Sequence, residues 1–547
     1  MNDHSLSAGR YDISKRLVGL YALFFAVVSY LFFNEITIAS SQDNNFVHVL
    51  NVYLSPERWQ EDLEGNIGGF ITYTLSYWLP ALMQYHFSFL EPILAPLLFA
   101  IRPILVLFLF VFILKKYSEQ TSLSFYAASL LLFGHFSIFL LTPAGYDIDF
   151  FSNYYAQDVL IPILLGLYFL LKKRPVAVGL MLFISLLTHP AQATIYGLFF
   201  LFFVLIERWH WKQILILGAF AVTGSALELY LLDHGALVAA ETINDQQWWQ
   251  IFEKNGHLNA PFVLKSEFIL RLGLLGYMSA LAFMISTGRW RRILVIGLIT
   301  YAFALALFML GAWLQIATLM QLAPLRYANF LILLVLLVVG GSEYQANKRS
   351  LLILFAFPFL VSAVPLTVDL LHIHSLSTLS KLMVIGLIFM LLLAAVFAKK
   401  ATTLQLMVPL VFVGLIVLPV AKVYDQVKAG RPMLDMARFI QSLPEKKGVV
   451  IMWGNLPTMV PLRTATGYPV LDVRRKGSAI YSRSVQVYQD DQFRAGCYQT
   501  HRAPLTEKMV ACLKEHHPLH YVLSDLATPV EGAELVYANH TYGLYKL

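Results

Sequence analysis

Charge is scarce in this chain: Asp, Glu, Lys and Arg make up 13% of its 547 residues, while 58% are hydrophobic and the mean hydropathy is +0.65. An ordinary soluble domain carries about 25% charged residues, so that class is excluded. Cysteine is scarcer still, with only Cys497 and Cys512 present. There is no CxxC pair, no GxxxxGK[ST], no GxSxG and no HExxH, which removes the redox, P-loop, nucleophile-elbow and zincin readings. The sequence also has no repeat of fixed period and no low-complexity tract.

Long apolar runs are what the chain has instead. They lie near 17–38, 91–114, 122–142, 157–171, 176–206, 213–232, 267–287, 292–312, 327–341, 350–368, 381–398 and 403–422. A spanning helix needs about 20 such residues. The first run has no small-residue cleavage site and reads as a signal anchor.

The gaps between runs alternate in charge. One set carries Arg10/Lys15/Arg16, Lys115/Lys116, Lys172/Lys173/Arg174, Arg208/Lys212, Arg289/Arg291/Arg292, Lys348/Arg349 and Lys399/Lys400. By the positive-inside rule these face the cytoplasm. The other set is acidic, aromatic or His-bearing: Asp43 to Glu64, Asp147 and Asp149, Asp233 to Glu253, and His372 with His374. The formal charge of +7 and the pI near 9.1 are thereby explained as insertion signals, and no nucleic-acid partner is expected.

The stretch 176–206 is too long for a simple span and is interrupted by Thr188-His189-Pro190. Either it is one long tilted helix with a span missed elsewhere, or it is two short helices in a hairpin. The hairpin preserves the charge alternation and gives about thirteen spans, with the N-terminus inside and the C-terminus outside.

From residue 424 the composition changes. Helices are expected at Met433 to Leu443 and Leu505 to Glu515, and strands at Gly448 to Trp453, Leu519 to Leu523 and Tyr542 to Leu547. The fold class is therefore an α-helical polytopic membrane protein, residues 1–423 with a long first outward loop at 39–90, followed by a small α/β extracytoplasmic domain, 424–547. Both cysteines lie in that domain, as a disulfide or as two buried thiols.

Several residues are candidates for chemistry, each with a structural alternative. Asp43, just past the first span, suits a general base at the membrane surface, or caps a helix. Asp147 and Asp149 suit a divalent cation (Mg or Mn) or a sugar hydroxyl, while Asn153 or Asp158 capping accounts for part of that loop. His189 faces a cavity, or bonds a carbonyl freed by Pro190. Arg102, Arg271, Arg326 and Lys381 are cations where positive charge is otherwise scarce. Arg326, following Gln321 and Pro324, is the preferred ligand for a lipid phosphate, and snorkelling is the alternative for Lys381 and Arg102. Trp248 and Trp249, beside Glu241, Asp245, Glu253 and His257, suit a sugar-stacking site or an interfacial aromatic belt.

This layout resembles the GT-C superfamily of integral-membrane glycosyltransferases over almost the whole chain. Locally, Pro175 to Leu205 around Thr188-His189-Pro190 and Gln321 to Asn329 with Arg326 are similar to stretches in bacterial members. So are Met436-Ala437-Arg438-Phe439-Ile440, Leu462-Arg463-Thr464-Ala465-Thr466-Gly467-Tyr468, and Leu535-Val536-Tyr537-Ala538-Asn539 to Tyr545 in the tail.

The resemblance implies an inverting transferase of the bacterial inner membrane. Its donor would be a polyprenyl-phosphate sugar, and its acceptor an envelope glycan, lipid or protein at the periplasmic face. The family's first-loop carboxylate maps onto Asp43 and its second-loop acidic site onto Asp147 or Asp149. Many members pair two acids in the first loop, whereas Asn44 and Asn45 follow Asp43 here.

Rival readings are an O-antigen ligase or polymerase, a transporter and a non-catalytic scaffold of polysaccharide assembly. The terminal α/β domain argues against the first, and the lack of internal repeats against the second.

Overall fold

A computed structural model describes residues 23, 26–28, 30–33, 75–117, 158–233, 242–255, 266–341, 424, 427–443, 448–454, 456, 462, 465–466, 468–472 and 484–547. Asp43, Asp147, Asp149 and Lys381 lie outside these residues.

The helices are α1 Leu75–His86, α2 Glu91–Tyr117, α3 Leu160–Leu171, α4 Pro175–Thr188, α5 Pro190–Ile206, α6 Trp211–Asp233, α7 Asp245–Asn255, α8 Ser266–Ile285, α9 Gly288–Trp313, α10 Ala317–Gln321 and α11 Tyr327–Gly341. All but α1, α7 and α10 coincide with apolar runs, and the runs 122–142, 350–368, 381–398 and 403–422 lie outside the described residues. Four helical stretches among the described residues are long and apolar enough to cross a membrane, Ile93–Leu114, Trp211–Tyr230, Gly288–Trp313 and Ala317–Gly341, the last made of α10, a short turn and α11. α11 is buried along its whole length, as a helix that is apolar on every side must be, and it forms the centre of the helical core.

The long run breaks at His189, and α4 and α5 fold back on one another. Along a continuous helix Leu182 and Gly197 would be about 22 Å apart. Instead, a Cβ on Gly197 would meet Leu182 Cδ1 at 3.1 Å, which only an antiparallel pair allows. α6 then packs on α4 through small residues. Phe220 covers Gly179, and Gly224 sits against Phe183 and Leu186.

The tail holds a five-stranded mixed sheet in the order β2-β1-β3-β5-β4. Its strands are β1 Val449–Trp453, β2 Val470–Asp472, β3 Leu519–Asp525, β4 Glu534–Ala538 and β5 Tyr542–Lys546. β1 pairs parallel with β2 and β3, while β5 runs antiparallel to β3 and β4. A parallel centre needs cover on both faces, and β1 is buried at every position. Val450 and Met452 pack with Met436 and Ile440 of helix α12, residues 427–442. On the other face Val449, Ile451 and Trp453 meet Tyr498, Val510 and Leu513, from the region of α13 Val485–Cys497 and α14 Glu507–Lys514.

Cys497 and Cys512 form a disulfide that joins the end of α13 to α14 across a sequence separation of 15. A loop of that length restricts the unfolded chain by about 3 kcal/mol. Replacing both cysteines with serine is expected to lower stability by about that amount, read as an earlier denaturant midpoint for the tail.

Candidate active site

The hairpin tip is built by Pro190. A proline at the first position of α5 has no N–H to leave unsatisfied, and it forces the residue before it out of helical geometry. His189 is accordingly extended, at φ −158° and ψ 90°. Its backbone N–H donates to Ser185 O at 2.9 Å, ending α4, and its carbonyl accepts from Ala193 N at 2.9 Å, starting α5. The imidazole Nδ1 accepts from Gln192 N at 3.4 Å, an N-cap made by a ring nitrogen. With Nδ1 as acceptor, the neutral ring carries its proton on Nε2.

Gln192 and Tyr196 extend this polar face. Both are buried, and Tyr196 Oη donates to Gln192 Oε1 at 3.3 Å. Neither residue is among the candidates that the sequence singles out. Their spacing from His189, three and seven residues on, places all three on one helix face and was the available signal.

The turn before α11 supplies the cation. Ala323 sits in the left-handed region at φ 47°, ψ 60°, and a one-turn 3-10 helix, Pro324–Arg326, follows. For an alanine that conformation costs about 1–2 kcal/mol, and such strain recurs where a side chain must be aimed. The turn packs against α5, α9 and α11. Arg326 is half-buried, and its guanidinium lies near enough to His189 to act on the imidazole electrostatically. Gln321 ends α10, five residues earlier, and is exposed.

Trp248 and Trp249 are buried rather than displayed, so they do not offer the open ring faces a sugar platform needs. Trp248 stacks on Phe252 at 4.7 Å, Trp249 meets the same ring edge-on at 5.5 Å, and the Trp249 indole N–H donates to Gln315 O. They share an apolar cluster with Met320 and Leu325, beneath the turn that carries Arg326, and with Val487 of α13. An antiparallel bridge between Thr242 and Ser484 ties the same loop to the tail. Their observed role is to brace the Arg326 turn and couple it to α13.

Arg102 is also engaged elsewhere: its Nε stands 2.8 Å from Asp158 Oδ1, both groups largely buried. Arg271 lies on α8, with its side chain outside the described residues. Among the described residues no group of three His, Cys, Asp or Glu side chains could hold a metal ion, and the Asp147 to Asp149 loop is not among them.

These elements define a polytopic helical membrane scaffold with a broken hairpin, joined to a C-terminal sheet domain. No family model matches the sequence, and no curated protein does. Solved structures share the fold almost end to end. ArnT from Cupriavidus metallidurans in the apo state matches with a TM-score of 0.53 at 13% identity, over 99% of this chain and 98% of that one. The same protein bound to undecaprenyl phosphate matches with a TM-score of 0.52 at 12% identity, over 97% of each chain. The chain thus shares the fold of ArnT, itself a GT-C glycosyltransferase.

Proposed function

We propose that the chain transfers a sugar from a polyprenyl-phosphate donor to an envelope glycan, lipid or protein at the periplasmic face of the bacterial inner membrane. The observation that carries the reading is the packing of the Arg326 turn against α5, the helix that starts at the hairpin tip, within a fold whose solved relative holds undecaprenyl phosphate.

In this reading Asp43 takes the proton from the acceptor hydroxyl or amine as that atom attacks the anomeric carbon. The bond between the anomeric carbon and the phosphate oxygen breaks, and its electrons leave with the lipid phosphate. A single displacement of this kind inverts the anomeric centre. Arg326 receives the departing charge through a two-pronged guanidinium contact, and the Nε2–H of His189 donates a further hydrogen bond to the phosphate. Arg271 and Lys381 are assigned to the same anion in a supporting role.

Phosphate as leaving group needs no nucleotide site, which agrees with the absent nucleotide motifs. Asp147 and Asp149 are assigned to hold sugar hydroxyls or a divalent cation, with no step of the transfer passing through the ion.

Asp43→Asn keeps the size of the side chain and removes the base. Transfer is expected to fall about 10²–10⁴-fold with donor binding kept. Full activity in that variant, measured as polyprenyl phosphate released from purified protein in lipid, would rule Asp43 out as the base.

A further inference from the structure

α6 carries an acid on the wrong face for a membrane helix. Leu217, Gly224 and Glu228 form its buried stripe, recurring at helical spacing, with Phe220 and Ala221 half-buried between them. Glu228 is 3% exposed and lies inside the stretch Trp211–Tyr230. Among the described residues neither of its carboxylate oxygens has a hydrogen-bond donor and no charged group acts on it. A carboxyl group placed in such a segment without a protein partner is costly, and such residues mark substrate or ion pathways.

The packing register shows where this group sits. Phe220 lies on Gly179, and one turn later a Cβ on Gly224 would meet Leu186 Cδ1 at 3.0 Å and Phe183 Cδ2 at 3.2 Å. α4 and α6 therefore run side by side in the same direction. The next turn brings Glu228 to the level of Thr188 and His189, the hairpin tip. Packed helices lie about 8–10 Å apart, so Glu228 is about one helix width from the tip that Arg326 reaches.

We propose that Glu228 is a sugar-recognition residue: its two oxygens accept hydrogen bonds from donor groups of the sugar carried by the lipid phosphate at the hairpin tip. This rests on the function proposed above. The phosphate is one bond from the anomeric oxygen, so a sugar whose phosphate is held by Arg326 must lie beside the tip. Hydroxyl and ammonium groups are both donors that an unpartnered carboxylate satisfies. Bare polyprenyl phosphate offers it none.

The test uses the full chain in lipid nanodiscs, with Glu228→Leu, Glu228→Gln and three probes: undecaprenyl phosphate, undecaprenyl-phosphate glucose and undecaprenyl-phosphate glucosamine. The wild type is expected to bind at least one sugar lipid ten-fold or more tightly than the bare lipid. Glu228→Leu should melt at or above the wild-type temperature, since it relieves an unpaired buried polar group, and should bind all three probes equally.

Glu228→Gln keeps acceptor capacity but no charge. Retention of glucose binding within a few-fold identifies a hydroxyl as the group recognised, and a ten-fold loss confined to glucosamine identifies an ammonium. If Glu228→Leu does not assemble, Glu228→Ala repeats the comparison. Wild-type preference for a sugar lipid persisting in these variants overturns the assignment while leaving the proposed transfer intact. A wild type that binds none of the three probes overturns both.

Discussion

Replacing Arg326 with alanine is expected to cut sugar transfer about 10²–10³-fold, the usual effect of removing one group that stabilises developing negative charge. Binding of undecaprenyl phosphate should weaken as well, because the lipid phosphate carries negative charge before the bond breaks and more of it afterwards. Arg326→Lys keeps the charge but loses the planar fork, so it should recover only part of the activity. The turn itself is expected to survive, since its geometry comes from Pro324, the buried Leu325 and the Trp248 to Phe252 cluster. An unchanged melting temperature with lost transfer would separate this role from packing. Transfer within a few-fold of wild type would remove Arg326 from the phosphate site.

The second large effect is expected in the tail, at a buried ion cluster within and beside α13. Arg494 is 1% exposed; its Nε stands 2.9 Å from Asp490 Oδ2, and its Nη2 donates to Asp491 Oδ1. His517 Nε2 completes the cluster 2.8 Å from Asp490 Oδ1. Removing the guanidinium leaves two carboxylates buried with one partner short, and Arg494→Ala is expected to cost about 3–5 kcal/mol. Chemical denaturation read by Trp453, in β1 of the tail sheet, would measure it.

The cluster also sets a pH limit. Burial pushes the Asp490 carboxyl up, but the His517 hydrogen bond and the Arg494 charge outweigh it and hold the group below its ordinary value of 3.8. A carboxyl lowered on folding stabilises the fold fully above that ordinary value, and the contribution disappears as pH falls through the lowered one. The contribution of this cluster should therefore be lost in acid below about pH 4, with the step reduced in Asp490→Asn.

The parts of the fold that were legible in the sequence are those with strong local signals. Pro190 announced the break at His189. The apolar run that begins at 327 starts as helix at Tyr327, because the Pro324 turn fixes that start. In the tail, β1, β3 and β5 were legible from their apolar runs, whereas β2 spans only three residues and β4 is an exposed edge strand with no clean alternation. α13 was missed because its buried face is made of Asp490, Asp491 and Arg494 as well as Val487, so it looks polar throughout.

The site was legible only in part. Arg326 stood out because cations are scarce where it falls. Trp248 and Trp249 were legible as important but not as core, since an aromatic pair looks the same in a belt, a sugar platform or a packed cluster. The pairing of Arg102 with Asp158 joins segments far apart in sequence, and no local pattern announces it. Glu228 was available as a lone acid inside an apolar run, a signal that became specific only once the packing of α6 on α4 gave its level.

The proposed reaction breaks the bond between a sugar and a polyprenyl phosphate. Wild-type protein in nanodiscs, supplied with undecaprenyl-phosphate sugars and an envelope-lipid extract as acceptor, tests it by mass spectrometry of the lipid products. The expected products are free undecaprenyl phosphate together with an acceptor heavier by one sugar, both lost in Asp43→Asn and in Arg326→Ala. Sugar lipid that the wild type binds but leaves intact across the panel, or equal release by the wild type and both variants, would contradict it.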